Sequence, residues 1–434
     1  MIIKNGLVFT ENNTFAPMTI HTSGSLITAL TTPMDSGANT AEAASDAVAF
    51  NSMEKLAFPE DDAVFDAAGC YVLPGLTDIH FHGCDGCDFC DGTSEAFDAI
   101  ASFALSHGVT SICPATMTLP EADLSRICEN AADYRKAQLC GNAAQQTADL
   151  IGIHMEGPFI NAHKKGAQND AHILQPDAAL LRRLQKKADG LIRLVSLAPE
   201  LSGAVSCIEA CREEFRFSVA HTEADYDTAM AAFSAGADHV THLFNAMPPF
   251  THRAPGVIGA AFDTPSCFAE LICDGVHITP CAVRTAFRLF GEERMVLISD
   301  SMEATGKPDG HYRLGGLTVF VSGNRAVLTD GTLAGSVTPL YNCMLTAVSM
   351  GIPLESAVRA ATINPCRSIG MDKLYGSIAV GKKAHFLILN RQDLSITSVI
   401  KDGLCLKAPH PEETPADSRH SLPPQRCCSR HPAQ

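Results

Sequence analysis

Several short apolar runs in this chain end in groups that can hold a cation or move a proton. The run from Leu150 to Ile153 leads into His154 and Glu156 and is stopped by Gly157-Pro158. A carboxylate at the mouth of a buried strand is costly unless it is partnered. Matching groups end four other runs: His80 with His82, His221, His242 and Asp300. Glu156, His221 and His242 form an imidazole and carboxylate set that needs no thiolate, which suits Zn2+ or Fe2+ in an open catalytic site. His80 and His82 lie two residues apart, on one side of a strand end. They allow a second ion, bridged by a carboxylate, so one or two ions per subunit are expected. A divalent metal would lower the pKa of a bound water so that hydroxide exists near neutral pH. Asp300 follows a fully apolar strand, where a carboxylate can take the water proton and hand it to a leaving group. Taken singly, each residue has a plainer reading: an incidental His pair, a capping carboxylate or a satisfied core histidine. Their recurrence at one strand end after another favours chemistry.

Three further stretches can contact a ligand. Asp274-Gly-Val-His277 ends a strand and leaves His277 free to touch a substrate, with a structural histidine as the rival. His252-Arg253-Ala-Pro-Gly256 follows a loop containing Asn245 and Ala246. Backbone N–H groups of such a loop with one Arg suit a phosphate, and a surface ion pair is the rival for Arg253. Thr332-Leu-Ala-Gly-Ser336 is small enough to let backbone approach a ligand.

The elements that carry these groups alternate strand and helix from Leu76 onward. Strands are expected at Leu76–His80, Val109–Cys113, the Glu156 stretch, Leu191–Leu197, Phe215–Ala220, Asp238–Leu243, Phe268–Ile272 and Met295–Ser299. Helices are expected at Ser94–His107, Asp177–Ala188, Asp225–Ala235 and Cys281–Phe290. Eight strands predict an α/β fold, a (β/α)8 TIM-type barrel. An open doubly wound sheet is the alternative. It would spread the polar strand ends along a line too long to share one ion.

The chain ends read as β. Met1 to Thr10 suggests two strands around an Asn-Gly turn, Ser25–Leu30 another, and Val64–Leu73 a further one. A hairpin at Leu317–Val321 and Arg325–Thr329 and helices at Val337–Met350 and Leu354–Thr362 follow the last barrel strand. Val399-Ile-Lys-Asp-Gly403 echoes Ile2-Ile-Lys-Asn-Gly6, so both ends are expected to build one small β-sandwich domain. The expected divisions are 1–70 for its first part (with an irregular insertion at about 32–62), 71–372 for the catalytic barrel, 373–408 for its second part, and 409–434 for a disordered tail.

The 434 residues suffice for a barrel and a smaller domain, and a formal net charge of −16 argues against a nucleic-acid partner. No apolar run approaches the roughly 20 residues of a membrane span. The start lacks the pattern of a signal peptide, so a cytoplasmic location is expected. The 17 Cys are scattered and odd in number, which disfavours a disulfide framework. Cys84, Cys87 and Cys90 lack a fourth ligand at cluster spacing and read as reduced packing residues.

At Pro74-Gly-Leu-Thr-Asp-Ile-His-Phe-His-Gly83, His154-Met-Glu-Gly-Pro-Phe159, Ala220-His-Thr222, Thr241-His-Leu-Phe-Asn-Ala-Met247, His252–Gly256, Asp274–His277, Ser299-Asp300 and Leu333–Ser336, the chain resembles the amidohydrolase superfamily. Within it, the resemblance is to the N-acetylglucosamine-6-phosphate deacetylase family. The resemblance implies Glu156, His221 and His242 as ligands, Asp300 as proton donor and acceptor, and a homodimer acting on a sugar phosphate. It also implies substrate contacts from Ala167, Asn245, Ala246, Arg253, His277, Leu333, Ala334 and Gly335, with the Arg253 position able to reach the neighbour's phosphate site. Some members carry His where this chain has Gln168, which can donate a hydrogen bond but holds no charge. The expected reaction is deacetylation of N-acetylglucosamine 6-phosphate by metal-activated water. The rivals are an amidohydrolase for another N-acyl hexosamine phosphate or a cyclic amide, and, more remotely, a non-catalytic scaffold.

Overall fold

The computed structural model describes residues 1–32, 63–141 and 147–407. The expected insertion from 33 on and the expected tail lie outside the described residues. Parallel strands run in chain order: Leu76–Asp78, Val109–Ile112, Asp149–Leu150 with Ile153–Glu156, Ile192–Leu197, Arg216–Val219, His239–Val240, Phe268–Ile272 and Met295–Ile298. Each pairs in parallel with the next. Nearly all their residues are buried on both faces, as parallel sheets covered by helices require.

The third strand is split around Ile151-Gly152. Its first piece pairs backward with Val109–Ile112, and its second pairs forward with Ile192–Leu197. A bridge between Ala115 and His154 continues the order across the split. At the far side, Asp300 N–H donates to His80 O at 2.9 Å, tying the exit of the last strand to the exit of the first.

Helices pack outside these strands. Ser94–Ser106 buries Phe97, Ile100, Ala101, Ala104 and Leu105, and the Thr93 side chain caps it by accepting from Ala96 N–H. Gly108 then takes φ +79°, and a Cβ there would meet Leu387 at 2.8 Å, so only glycine lets the chain turn so close to the end sheet.

That end sheet has eight strands drawn from both chain termini. Cys70–Pro74 pairs antiparallel with Phe386–Asn390, seaming the two ends together. Alternate residues of the second strand serve two cores: Phe386 and Ile388 pack with Ile3, Ile20 and Ile400, while Leu387 and Leu389 join the large core around the parallel strands.

The structure corrects several local expectations. Asn5-Gly6 makes no turn; Ile2–Phe9 is one strand, with a register shift between Ile3 and Gly6 and Asn5 at φ 65°. The left-handed residue that an Asn-Gly pair favours is spent on a bulge. Val64–Leu73 is two strands, Val64–Asp66 and Cys70–Pro74. The hairpin gains a third strand, Gly310–Leu314. The longest helix among the described residues, Glu121–Cys140, carries a buried face that includes Ala131, Ala132, Cys128 and Gln138, and residues this small or polar leave a weak apolar period. Cys84 packs in the core, and Cys90 Sγ accepts from Met117 N–H. Among the described residues no helix is long and apolar enough to cross a membrane.

Candidate active site

The site lies where the parallel strands end. Glu156, the last residue of Ile153–Glu156, sits among four imidazoles. Its Oε1 is 3.0 Å from His221 Nε2, 3.2 Å from His242 Nε2 and 3.3 Å from His80 Nε2. Its Oε2 is 3.3 Å from His82 Nε2. Asp300 Oδ1 faces the same pair of residues, 3.5 Å from His82 Nε2 and 3.8 Å from His80 Nε2. All six side chains are buried.

Three of these residues hold backbone conformations that L-residues rarely adopt: His221 at φ 44°, His242 at φ 32° and Asp300 at φ 49°. Such positions cost about 1–3 kcal/mol each and persist where surrounding structure enforces them. Here each falls just past a strand end, and the left-handed residue swings the side chain inward. Gly335 comes close behind: Ser336 N–H donates to Asp300 O at 2.7 Å, and a Cβ on Gly335 would meet that same oxygen at 2.9 Å.

The electrostatics show mutual dependence. Burial works to raise the Glu156 pKa, but the neighbouring imidazoles of His80 and His221 hold it well below the ordinary carboxylate range. Burial also opposes a charged His82, yet hydrogen bonds to Asp300 and Glu156 push its pKa up to about 10. Asp300 stays low for the same reason, against its own burial. Two carboxylates in a dry pocket thus demand positive charge beside them.

The residues fit a metal. Two groups of side chains, Glu156–His221–His242 and His80–His82–Glu156, bring their ligand atoms within 4.8 Å of one another. His221 Nε2 and His242 Nε2 stand 3.1 Å apart, a separation at which two lone pairs need a cation or a proton between them. His80 Nε2 is fully buried and has no hydrogen-bond partner. His221 Nδ1–H donates to Lys164 O at 2.7 Å, which leaves its Nε2 as the ligating nitrogen.

A family model for the amidohydrolase family matches residues 71–405. The chain belongs to the amidohydrolase family. It is 36% identical over 364 residues to the N-acetylglucosamine-6-phosphate deacetylase of Bacillus subtilis (strain 168), covering 81% of this chain and 89% of that protein. It is 34% identical to the N-acetylgalactosamine-6-phosphate deacetylase of Escherichia coli O157:H7 over 74% of this chain and 83% of that one. Among solved structures it is similar to a mutant N-acetyl-D-glucosamine-6-phosphate deacetylase from Mycobacterium smegmatis, in complex with N-acetyl-D-glucosamine-6-phosphate. That match has a TM-score of 0.80 and 31% identity, and covers 93% of this chain and 98% of that one.

In this amidohydrolase, a cavity of about 500 Å³ opens beside Glu156. His82, His221, His242, Asp300, Ala167, Gln168, Asn245, Ala246, His277, Leu333 and Gly335 all line it. His80 lies behind the cavity wall, and Ala334 is buried, its N–H bonded to Ala326 O. Arg253 is exposed and does not border the cavity. Gln168 is engaged at both ends: its Nε2–H donates to Glu156 Oε2 at 2.6 Å, and its Oε1 accepts from Thr118 N–H at 2.7 Å. Asp274 Oδ2 accepts from His277 Nδ1–H at 2.7 Å and turns the other ring nitrogen away from it.

Sequence reasoning passed over Glu270. It sits in mid-strand with no exposed surface, bonded to His80. A Glu inside Phe-Ala-Glu-Leu-Ile272 is the same signal that singled out Glu156, a carboxylate in an apolar strand that needs a partner.

Proposed function

We propose that this chain is a metal-dependent deacetylase that hydrolyses N-acetyl-D-glucosamine 6-phosphate to D-glucosamine 6-phosphate and acetate. The observation that carries the reading is the meeting of Glu156, four imidazoles and Asp300 at the floor of one cavity. The deacetylase relatives, similar over most of the chain, supply the substrate. The eight parallel strands, with the Asp300–His80 hydrogen bond joining last to first, support a closed (β/α)8 barrel. The eight-stranded sheet of both termini supports a separate end domain flanking it.

Glu156, His221 and His242 would hold one divalent ion, Zn2+ or Fe2+, and His80 and His82 with Glu156 a second. Bound there, the ion supplies Lewis acidity to the attacking water and the amide carbonyl. The protein does the rest. Asp300, with Oδ1 turned toward His82, accepts the water proton and returns it to the amide nitrogen as the C–N bond breaks. His277, held by Asp274, faces the cavity; its Nε2 accepts from a sugar hydroxyl in the neutral ring and donates toward the acyl oxygen when the ring is protonated, the form that Asp274 favours. The Asn245-Ala246 backbone, with Ala246 in the left-handed region (φ 50°), lines the sugar-phosphate end. Arg253, exposed and outside the lining of its own cavity, suits a homodimer in which it reaches the phosphate held by a second copy.

The galactosamine-specific name of one relative at 34% identity keeps the hexosamine as the open choice within this class. The test is acetate release from N-acetylglucosamine 6-phosphate, N-acetylgalactosamine 6-phosphate and unphosphorylated N-acetylglucosamine, with metal content determined in the same sample. The expected result is turnover of the glucosamine phosphate, with the free sugar turned over far more slowly. Metal-loaded protein inactive on all three would overturn the assignment.

A further inference from the structure

The ligands described above are held from below by a second buried layer. Glu270 lies in the middle of Phe268–Ile272 with no exposed surface. Its Oε2 is 2.8 Å from His80 Nδ1. The same oxygen accepts from the backbone N–H of His242 at 3.2 Å. On its other side, Oε1 stands 3.1 Å from His239 Nε2, which places an imidazole against a carboxylate with both side chains fully buried. Deeper still, His154 is tied to the scaffold, Nε2 to Ser196 Oγ at 2.7 Å and Nδ1 to Ile79 O at 3.2 Å.

This arrangement is one-directional. An ionised carboxylate only accepts, so a bond to His80 Nδ1 requires the proton on that nitrogen. His80 Nε2 is then a lone pair aimed at Glu156 and Asp300, and it is the nitrogen with no hydrogen-bond partner. His242 is held through its main chain at the residue where φ is 32°. One side chain therefore governs the tautomer of one imidazole and the unusual backbone of another.

Resting on the reading of His80 and His242 as metal ligands, we propose that Glu270 is a positioning residue for the metal centre, fixing His80 in the Nδ1–H tautomer and anchoring the left-handed His242 backbone. It is fully buried and does not line the cavity. Partners of this kind commonly change metal affinity by about 10–100-fold. A Glu270→Gln amide removes the charge and can turn its NH2 toward His80 Nδ1, which would force the proton onto Nε2 and block ligation there.

The decisive measurement is Zn2+ affinity by chelator competition on wild type, Glu270→Gln and His80→Ala. Visible spectra of the Co2+-substituted proteins accompany it. The expected result is a loss of about 10–100-fold in affinity for Glu270→Gln, with a changed Co2+ spectrum, and at least as large a loss for His80→Ala. Wild-type affinity and spectrum in Glu270→Gln, with a loss in His80→Ala, would overturn the positioning role and leave His80 a ligand. No loss in His80→Ala would overturn both. If Glu270→Gln does not fold, the wild-type protein decides: a long-range 1H–15N histidine spectrum of the Zn2+-loaded enzyme must show His80 protonated at Nδ1, and protonation at Nε2 sinks the proposal. None of these readouts uses turnover, so they stand apart from the substrate assignment.

Discussion

Two buried clusters of charge stand out among the described residues, and they are built to opposite rules. One joins the start of the third parallel strand to the end sheet. Lys401, fully buried, places Nζ 3.0 Å from Asp149 Oδ1 and 3.2 Å from Asp402 Oδ2. Lys383 Nζ is 2.8 Å and His385 Nε2 3.3 Å from Asp402 Oδ1. Tyr375 Oη donates to Asp149 Oδ2 at 2.9 Å, and Arg135 stands 3.7 Å from its Oδ1. Every carboxylate oxygen there meets a cation or a hydroxyl. In the other cluster, Glu156 and Asp300 share the same histidines, Glu156 Oε1 alone lies within 3.3 Å of three ring nitrogens, and three residues sit at positive φ where the first cluster has Asp402 alone. A buried charge by itself therefore says little about function. Both border a cavity, of about 510 Å³ and about 500 Å³, so what separates the clusters is whether each carboxylate oxygen is matched by its own cation or hydroxyl (the closed cluster) or shares imidazoles with a second carboxylate (the open one).

If that contrast holds, the open cluster tolerates loss of its charge in stability and not in activity, and the closed cluster the reverse. The largest effect is expected from metal removal. Chelation should abolish acetate release, Zn2+ or Fe2+ should restore it, and Glu156→Gln should not be restored, with far-UV circular dichroism unchanged throughout. Next is Asp300→Asn, which should lower kcat by about 10²–10⁴-fold while metal content and melting temperature hold. Near-normal kcat there would make Asp300 as structural as Asp149. Smaller is Lys401→Met. Removing one partner from a buried ion cluster costs about 3–5 kcal/mol, read as a lower urea midpoint, while kcat per folded molecule stays at the wild-type value. A loss of kcat without loss of stability would erase the distinction.

The sequence made the open cluster more legible than the closed one. Glu156, His221, His242 and Asp300 each interrupt or end an apolar run, and a polar residue in such a place is conspicuous. The parallel strands carrying them were legible for the same reason, as were the helices with strong apolar periods such as Ala178–Lys187. The closed cluster was not. Lys401 and Asp402 sit in a stretch conspicuous only for echoing the chain's opening, and Asp149 opens its strand just ahead of the apolar run, so only the pairing of the two chain ends brings them together. Left-handed φ at His221 and His242 was equally hidden, because histidine carries no glycine-like signal. Glu121–Cys140 escaped because its buried face includes Ala, Cys and Gln, and Glu270 because a single mid-strand carboxylate was not followed to its partner.

The finest test of the contrast is acid lability, and its sign is fixed. Burial works to raise the Asp402 pKa, but its bonds to His385 and Lys383 and the charge of Lys401 hold it well below the ordinary range. In the unfolded chain it returns to about 3.9. Stability from the ionised group is thus fully present above that value and is lost as pH falls below about 4, where the unfolded chain takes up the proton first. Asp402→Asn removes this group from the balance. The variant should melt lower than wild type near neutral pH by a constant offset, and its melting temperature should fall less steeply below about pH 4, so that the two curves converge. Parallel curves would mean that the proton uptake driving acid unfolding occurs elsewhere. Glu156 and Asp300, also held low by their neighbours, would then be the carboxylates to substitute next, and the closed cluster would lose its claim to be the one that holds the two ends of the chain together.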